Sequence, residues 1–441
     1  MNETDSHSSP GLVVVPRSDH NISRAHISPN ALKVLYRLRS AGFDAFLVGG
    51  GVRDLLLERH PKDFDVVTNA DPDQIREVFR NCRLIGRRFR LAHVRFGRDV
   101  IEVATFRAAG AEPDDERAHS DSGRILRDNV YGTIDEDVWR RDFTVNALYY
   151  NIADFSVWDY VGGLADVRSR TLRLIGDPET RYREDPVRML RAMRFAAKLD
   201  LHLAPDAAAP IASLGRLLKD VPPARLFDEL LKLFHAGHAV RSFELLLEYD
   251  LFRYLFQDTN ALLETEQRAK LLEFIRTGLA ATDARVRADK PVTPMFLYAV
   301  FLWFPIRALA QQLQQEGWND SHAVVEASNR IVAAQQTSFP RRFSAPMKEL
   351  LAMQWRFDER QGVRAARLLT HKRFRAAYDF LLLRARCGEV PQELVDFWTE
   401  IQQLPHDDQQ KLIGLNRRHG RKRRGGRGRR SPANPISGAA P

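Results

Sequence analysis

The chain has 441 residues and 44% of them are hydrophobic, which is enough for two or three folded units with a sizeable core. Its two cysteines, Cys82 and Cys387, belong to no ligand motif, so the composition argues against a disulfide framework or a cysteine zinc site and predicts a cytoplasmic protein. The net charge is +10, but nine basic residues lie from Arg417 onward, where no acidic residue occurs. The remainder of the chain is therefore nearly neutral.

The first 25 residues are polar and predicted to be disordered, and their apolar patch at residues 12–15 is too short for an export signal. The longest apolar run, Met295 to Phe304, ends at Pro305 and is far shorter than the roughly 20 residues needed to cross a bilayer. We interpret this run as a buried helix and predict no membrane insertion.

The first folded elements are a helix, a strand and a glycine turn. Apolar residues at helical spacing after Ser28 predict an amphipathic helix, and residues 45–48 predict a strand. Three glycines beginning with Gly49 and Gly50 follow, and such a turn can present N–H groups to an anion. Arg53 lies in the next helix, whose positive dipole end favours the same anion. A simple turn is the alternative for the glycines alone.

An Asp-x-Asp pair follows the turn. Asp63 and Asp65 are predicted to point to one face of a strand, where both carboxylates can hold divalent metal ions beside a phosphate chain. Two later apolar stretches, 91–96 and 100–106, predict a hairpin in the same mixed sheet. Glu102, in the second stretch, is the best candidate for a third metal carboxylate, the alternative being an ordinary polar-face residue.

After a polar segment, 108–127, that predicts a mobile loop, strand signals continue only to about Glu184. Beyond it the apolar spacing is helical, so the second half is predicted to be almost entirely helix. The fold class is therefore α+β: a small mixed-sheet domain, then an all-helical part, between disordered termini.

Four motifs occur in an order that makes chance agreement improbable. They are Leu47-Val48-Gly49-Gly50-Gly51-Val52-Arg53-Asp54, Lys62-Asp63-Phe64-Asp65, Arg140-Arg141-Asp142-Phe143-Thr144-Val145-Asn146 and Glu184-Asp185-Pro186-Val187-Arg188-Met189-Leu190-Arg191. From about Ile27 to about Leu251 the chain resembles the nucleotidyltransferases of the DNA polymerase β superfamily, and within them the bacterial poly(A) polymerase and tRNA CCA-adding enzyme family. The resemblance implies a polymerase-β-like head at 26–170, a neck at 171–250 and a helical body at 251–412. Residues 1–25 and 413–441 would be disordered.

Nucleotide addition to an RNA 3′ end by two Mg²⁺ ions assigns roles to these motifs. Asp63, Asp65 and Glu102 are the predicted metal ligands, and Asp142 is a candidate beside them. The resemblance implies that Arg141, Asp142 and Asn146 contact the incoming nucleotide.

The last motif concerns the base. At helical spacing, Asp185, Arg188 and Arg191 are predicted to lie on or near one helix face. The resemblance implies that an aspartate and an arginine of this face read the Watson–Crick edge, with a further arginine towards phosphate. A salt-bridged surface is the alternative for this motif in isolation.

Two basic segments predict RNA contacts. Arg87, Arg88 and Arg90 flank Phe89 in a cluster that extends to His93 and could stack on and hold the primer end. The tail, which includes four consecutive basic residues, is predicted to bind phosphate irrespective of sequence, with a merely solubilising tail as the alternative. Those four residues are Arg421, Lys422, Arg423 and Arg424.

Within the family, three features favour poly(A) polymerase over the CCA-adding enzyme. They are the third glycine, Gly51, the stretch 81–94, and the basic tail, which suits primers of any sequence. The predicted reaction is transfer of AMP from ATP to RNA 3′ ends, with RNA-decay proteins as possible partners by resemblance. A CCA-adding enzyme is the alternative, and a non-catalytic RNA-binding protein is a remote one.

Overall fold

The computed structural model describes residues 11–86, 90–108 and 131–415. An eight-stranded sheet forms the head, and helices make up nearly all of the described chain after residue 177. The strands are β1 (Val13–Val15), β2 (Ala45–Val48), β3 (Asp65–Thr68), β4 (Cys82–Ile85), β5 (Leu91–Phe96), β6 (Asp99–Thr105), β7 (Leu148–Asn151), β8 (Val157–Asp159), β9 (Thr171–Leu172) and β10 (His202–Leu203).

The helices of the head and neck come first. They are α1 (Pro29–Ser40), α2 (Gly50–Leu56), α3 (Pro72–Val78), α4 (Ile134–Trp139), α5 (Gly163–Arg168), α6 (Pro178–Glu184), α7 (Val187–Leu199), α8 (Pro205–Ala208), α9 (Ile211–Leu214), α10 (Pro223–Phe234) and α11 (Ala239–Glu248). The body helices are α12 (Phe252–Leu255), α13 (Gln257–Leu262), α14 (Arg268–Arg287), α15 (Pro294–Gln315), α16 (Asp320–Ala334), α17 (Arg341–Met353), α18 (Gly362–Leu369), α19 (Phe374–Arg386), α20 (Gln392–Gln403) and α21 (His406–Leu412). Short 3₁₀ turns lie at Arg17–Asp19, Arg24–His26, Thr144–Asn146, Gly215–Asp220 and Gln354–Asp358.

The sheet order is β1-β8-β7-β2-β3-β6-β5-β4, and every pair is antiparallel except β3 with β6. This confirms the predicted mixed sheet and its β5–β6 hairpin. Because β3 and β6 are parallel neighbours, side chains at matching positions on these two strands lie next to each other on one face.

The two faces of the sheet have different cores. Leu47, Val66 and Val103 belong to the large core that α1 also enters, and that core continues into the helical part. The opposite face carries a small cluster that includes Val48, Val67 and Tyr149. Side chains alternate between the two faces along each strand, so the predicted site lies on the face that carries this small cluster.

The N-terminal segment corrects one prediction. Disorder was predicted through residue 25, but β1 pairs antiparallel with β8, with Val13 opposite Asp159, and Ile22 is buried. A three-residue strand gains most of its stability from the sheet edge it joins rather than from its own pattern, so local sequence gave little warning.

The apolar run at 295–304 lies inside α15, as predicted for a buried helix. Among the described residues, α15 is the one helix whose length and composition would also suit a membrane span, but most of its apolar window is buried against neighbouring helices. Pro305 falls within this helix rather than ending it. The predicted loop at 108–127 and the tail beyond 415 lie outside the described residues, apart from Ala108.

Candidate active site

The predicted carboxylates Asp65 and Glu102 are brought together by the parallel strand pair. Asp65 begins β3 and is the direct register partner of Glu102 on β6, while Val48 flanks Asp65 on its other side. Glu102 is exposed and faces away from its buried neighbours Ile101 and Val103. The sheet therefore presents two adjacent carboxylates on the face with the smaller core.

Asp63 is placed differently from its prediction. The strand begins at Asp65, so Asp63 is an exposed residue of the preceding loop and does not share a strand face with it. On the β2 side, that strand ends at Val48, where the chain turns at Gly49, so residues before Asp65 have no partner there. Asp63 is nevertheless near enough for its charge to act on Asp65.

The electrostatics of Asp65 are those of a carboxylate short of positive charge. Burial raises its pKa to about 6, and the negative charges of Glu102 and Asp63 add to the rise, while Arg141 partly opposes it. A cation at this position would offset both the cost of burying the charged carboxylate and the repulsion between the carboxylates.

Glu102 has a second neighbour on the sheet, His93. This residue is the register partner of Glu102 on β5, and its Nε2 lies 3.4 Å from Glu102 Oε1. That nitrogen is buried and makes no hydrogen bond with the described residues. Asp65, Glu102 and His93 thus form a row across three neighbouring strands.

The glycine turn adjoins the carboxylates. Gly49 has φ +69° and ψ −134°, a conformation that disfavours side chains. A Cβ on Gly49 would lie 3.8 Å from Arg141 Nη1 and 3.9 Å from Asp65 Oδ2. The turn, one carboxylate and one guanidinium therefore converge, and Gly50 begins α2 beside them.

Arg53 was predicted to meet an anion at this helix start, but the structure buries it. Its Nε and Nη2 donate to Asp54 Oδ1 at 2.9 and 2.6 Å, and its Nη1 donates to Asn146 Oδ1 at 2.5 Å. Only 3% of Arg53 is exposed. It links the turn to the Asp142–Asn146 loop from inside, and its contact with a nucleotide stays a prediction.

Asp142 continues this link towards the neck. Its Oδ1 accepts from Asn146 Nδ2 at 3.0 Å and from the Phe143 N–H at 2.8 Å. Its Oδ2 accepts from Arg191 Nε and Nη2 at 2.9 and 2.5 Å. Burial alone would raise the pKa of Asp142, but Arg191 and these hydrogen bonds outweigh burial and lower it. Both oxygens are occupied by the protein, which differs from the expectation of a carboxylate beside the metals.

The predicted base-reading stripe is partly corrected. α6 ends at Glu184 and α7 begins at Val187, so Asp185 is extended, with φ −148° and ψ 92°, and lies outside the helix. The reason is Pro186, which disfavours helical backbone in the residue before it. Asp185 accepts a 2.6 Å hydrogen bond from Arg225 on α10.

The arginines of α7 each have a different partner. Arg188 donates to the Arg181 carbonyl at 2.7 Å and to Glu184 at 2.9 Å, whereas Arg194 donates to the buried Glu229 at 2.7 Å. The Arg191 pair with Asp142 makes α7 one of the contacts between the neck and the head.

Several supporting residues were missed from the sequence. Asp137 on α4 and Tyr149 on β7 bind Arg141, and Asp137 stands four residues before it, a helical pairing distance that could have signalled the contact. Asp166 accepts from the Thr144 hydroxyl at 2.7 Å. Gly163 approaches the same loop so closely that a Cβ would lie 2.3 Å from the Thr144 carbonyl oxygen. No sequence signal marks that close approach.

Of the predicted RNA contacts, Arg90 is half exposed, with Nη1 3.9 Å from Asp73. Arg87, Arg88 and the four basic residues of the tail lie outside the described residues.

The fold is similar to those of solved tRNA-processing and tRNA nucleotidyltransferase structures. One solved structure is a tRNA-processing enzyme in its apo form, with a TM-score of 0.59 at 20% identity, covering 86% of this chain and 99% of the other. Another is a tRNA nucleotidyltransferase complexed with a primer tRNA and an incoming ATP analog, with a TM-score of 0.52 at 22% identity, covering 86% and 96%. At these identities the similarity defines the fold class, a polymerase-β-like head with a helical neck and body.

Sequence comparison defines the family. Residues 45–173 match the poly A polymerase head domain, 200–263 the probable RNA and SrmB-binding site of polymerase A, and 316–431 the polymerase A arginine-rich C-terminus. The poly(A) polymerase I of Escherichia coli O157:H7 is 50% identical over 92% of this chain and 89% of its own length, and that of Haemophilus influenzae is 46% identical over 91% and 90%. The CCA-adding enzyme of Lactobacillus helveticus is 30% identical over 68% and 70%.

The chain belongs to the bacterial poly(A) polymerase family. Its similarity to the poly(A) polymerases extends over nearly the whole chain, whereas the CCA-adding enzymes are distant relatives, so it is a polynucleotide adenylyltransferase.

Proposed function

We propose that the enzyme carries out its reaction, the template-independent transfer of AMP from ATP to RNA 3′ ends, at the junction of the Gly49 turn, Asp65, Glu102 and Arg141. The observation that carries this placement is the convergence of a glycine turn, an uncompensated carboxylate pair and a guanidinium within one small region. A glycine turn and a guanidinium can bind phosphate, and a pair of carboxylates can bind divalent cations.

Asp65 and Glu102, with Asp63 from the adjoining loop, would hold Mg²⁺. The raised pKa of Asp65 fits this role, because its burial and its acidic neighbours favour a cation. Among the described residues no three His, Cys, Asp or Glu side chains are grouped so that they could hold a metal ion by themselves. The proposed carboxylates would therefore need phosphate oxygens and water to complete the coordination of Mg²⁺, which commonly keeps such ligands. When bound, Mg²⁺ lowers the pKa of the attacking hydroxyl and neutralises the leaving pyrophosphate.

The turn and Arg141 would bind the triphosphate. Backbone N–H groups at Gly49 and Gly50 can approach phosphate without interference from a Cβ, and Arg141 supplies positive charge on the same side. Arg53, Asn146 and Asp142 then act by fixing the loop that carries Arg141, since they form one hydrogen-bonded chain beneath it.

Selection of adenine is proposed to involve Asp185 and Arg188, as the resemblance implies. Their side chains now bind Arg225 and Glu184, so a base would have to share or replace these partners. Arg191 is committed to Asp142, which makes it a structural link to the site in addition to any phosphate contact.

RNA is expected to be held by basic residues away from the reacting atoms. The match to a probable RNA-binding region at 200–263 supports contacts from the neck, and the tail would add a grip that weakens with salt. Association with RNA-decay proteins and a cytoplasmic location remain part of this proposal.

The test is incubation of the pure protein with Mg²⁺ and one labelled NTP at a time on two primers, an unstructured RNA and a tRNA lacking its CCA end. Long A-only products on the unstructured RNA are expected, and Asp65→Ala should abolish them. Addition limited to C, C and A on the tRNA would contradict the poly(A) assignment. Undiminished products from Asp65→Ala would overturn the location of the site.

A further inference from the structure

Arg141 is held by two residues that have no role in the reaction as described so far. Its Nε and Nη2 donate to Asp137 Oδ2 at 3.1 and 2.8 Å. Its Nε also donates to the Tyr149 hydroxyl at 2.8 Å. The Tyr149 hydroxyl in turn donates to Asp137 Oδ2 at 2.9 Å. Carboxylate, phenol and guanidinium thus form a closed triangle of hydrogen bonds.

The triangle occupies one edge of the guanidinium and leaves the other towards the site. Nη1 is the nitrogen that lies 3.8 Å from where a Cβ on Gly49 would be, next to Asp65. A planar guanidinium with one edge fixed can point its remaining nitrogen in only one direction.

The two anchors are themselves rigid. Tyr149 is fully buried on β7 and is the register partner of Val48, the residue that immediately precedes Gly49. Asp137 is 8% exposed and belongs to α4, whose Val138 packs into the same small core. The arginine and the glycine turn are therefore fixed to the same part of the sheet. Arg141 also lies above the Tyr149 ring, with its Cζ 5.1 Å from the ring centroid, and this contact further restricts the guanidinium.

The hydrogen bonds of the triangle require that Tyr149 and Arg141 are both protonated. Burial raises the pKa of Tyr149, so its hydroxyl stays protonated and can donate to Asp137 while accepting from Arg141. Burial lowers the pKa of Arg141, but Tyr149 and Asp137 outweigh burial and the net change is upward.

We propose that Asp137 and Tyr149 are positioning residues that aim Arg141 Nη1 at the triphosphate of the incoming nucleotide. This rests on the proposed function, in which Arg141 binds that triphosphate. Neither anchor needs to touch the substrate. Their effect passes through Arg141 and should appear in nucleotide binding, not in RNA binding.

The test is steady-state kinetics of Tyr149→Phe, which keeps the buried ring and removes the hydroxyl. The KM for ATP should rise about tenfold, as for loss of a hydrogen bond to a charged group, with a smaller change in kcat and none in the KM for RNA. Asp137→Asn should also raise the KM for ATP. Tyr150→Phe is the matched control, since Tyr150 lies on the opposite strand face and its hydroxyl has no hydrogen-bond partner among the described residues. It should keep the wild-type KM.

Arg141→Met separates this proposal from the function on which it rests. If Arg141→Met raises the KM for ATP, adding Tyr149→Phe to it should cause little further change. Full additivity, or a wild-type KM in both Tyr149→Phe and Asp137→Asn, would overturn the positioning role. If Arg141→Met itself leaves the KM for ATP unchanged, the proposed triphosphate contact fails instead. Thermal melting of each variant identifies loss of folding, and Asp137→Asn decides the matter should Tyr149→Phe be unfolded.

Discussion

Asp65 and Asp142 are both largely buried aspartates of the head, but their surroundings are opposite. Asp65 has carboxylates beside it and its pKa is raised, whereas Asp142 accepts hydrogen bonds from Arg191, Asn146 and the backbone and its pKa is lowered. A carboxylate that the protein leaves short of positive charge is suited to bind a cation. A carboxylate that the protein satisfies completely is suited to hold other residues in place.

Of the substitutions that test this comparison, Asp65→Asn should have the largest effect, a loss of activity. Loss of this proposed metal ligand should lower kcat/KM by about 10³-fold, corresponding to roughly 4 kcal/mol of transition-state stabilisation. The measurement is primer extension with ATP. Asp73→Asn, at an exposed position in the same domain, is the control and should retain activity.

Asp65→Asn should not lower the stability of the protein. Because the folded pKa of Asp65 is about 6, above its ordinary value, the folded state binds the extra proton and stability falls as pH rises from about 4 to 6. Asp65→Asn removes this penalty, so its Tm at pH 7 in metal-free buffer should equal or exceed that of the wild type. Added Mg²⁺ should raise the Tm of the wild type only. A clear fall in Tm for the variant would mean that Asp65 is structural.

Asp142→Asn should show the reverse pattern, a large loss of stability. Removing the charge leaves Arg191 without its carboxylate, which costs about 3 kcal/mol when such a pair is buried. Since the folded pKa is lowered, the contribution of Asp142 is present above the ordinary aspartate pKa and is lost as pH falls through the folded value. Urea unfolding at pH 7 and at about pH 2.5, below the ordinary aspartate pKa, should therefore show a smaller deficit in acid.

Glu179→Gln is the control for that experiment, because its partner Arg183 is exposed and the pair should contribute less than about 1 kcal/mol. Equal stability of Asp142→Asn and the wild type at pH 7 would contradict the structural role of the Asp142 network.

Gly163→Ala, at the start of α5, tests the packing of that helix against the loop that contains Asp142. The added methyl would lie 2.3 Å from the Thr144 carbonyl oxygen, so the loop has to move, and overpacking of this kind costs about 1–3 kcal/mol. Activity should fall together with the Tm. Gly11→Ala, where a Cβ meets open space, is expected to change neither. A fully active, stable Gly163→Ala would show that the loop tolerates displacement.

The smallest effect is expected for Gly51→Ala in the glycine turn. A Cβ there would only make ordinary contacts, 3.5 Å from the Asp63 carbonyl oxygen and from Phe64 Cδ1. Stability should change by less than about 1 kcal/mol and A-only products should persist. Incorporation of CTP by this variant would show that the third glycine contributes to nucleotide choice after all.

The sequence alone determined the family-defining elements because their signals are local. The α1 spacing, the β2 strand with its glycine turn, and the alternation that turns Glu102 outward each depend on residues close in the chain. The position of Pro186 also held the information that places Asp185 outside α7, although the spacing of the arginines suggested otherwise.

Only the tertiary structure decided which charges meet. The parallel pairing of β3 with β6 sets Glu102 beside Asp65, and the packing of α7 on the head gives Asp142 its arginine. These contacts join residues 37 and 49 positions apart, and the same residue types would have allowed other pairings. The pattern of apolar residues fixes which elements form, whereas the partner of a buried charge depends on how those elements pack. That packing is why one aspartate is left short of positive charge while the other is tied to the protein.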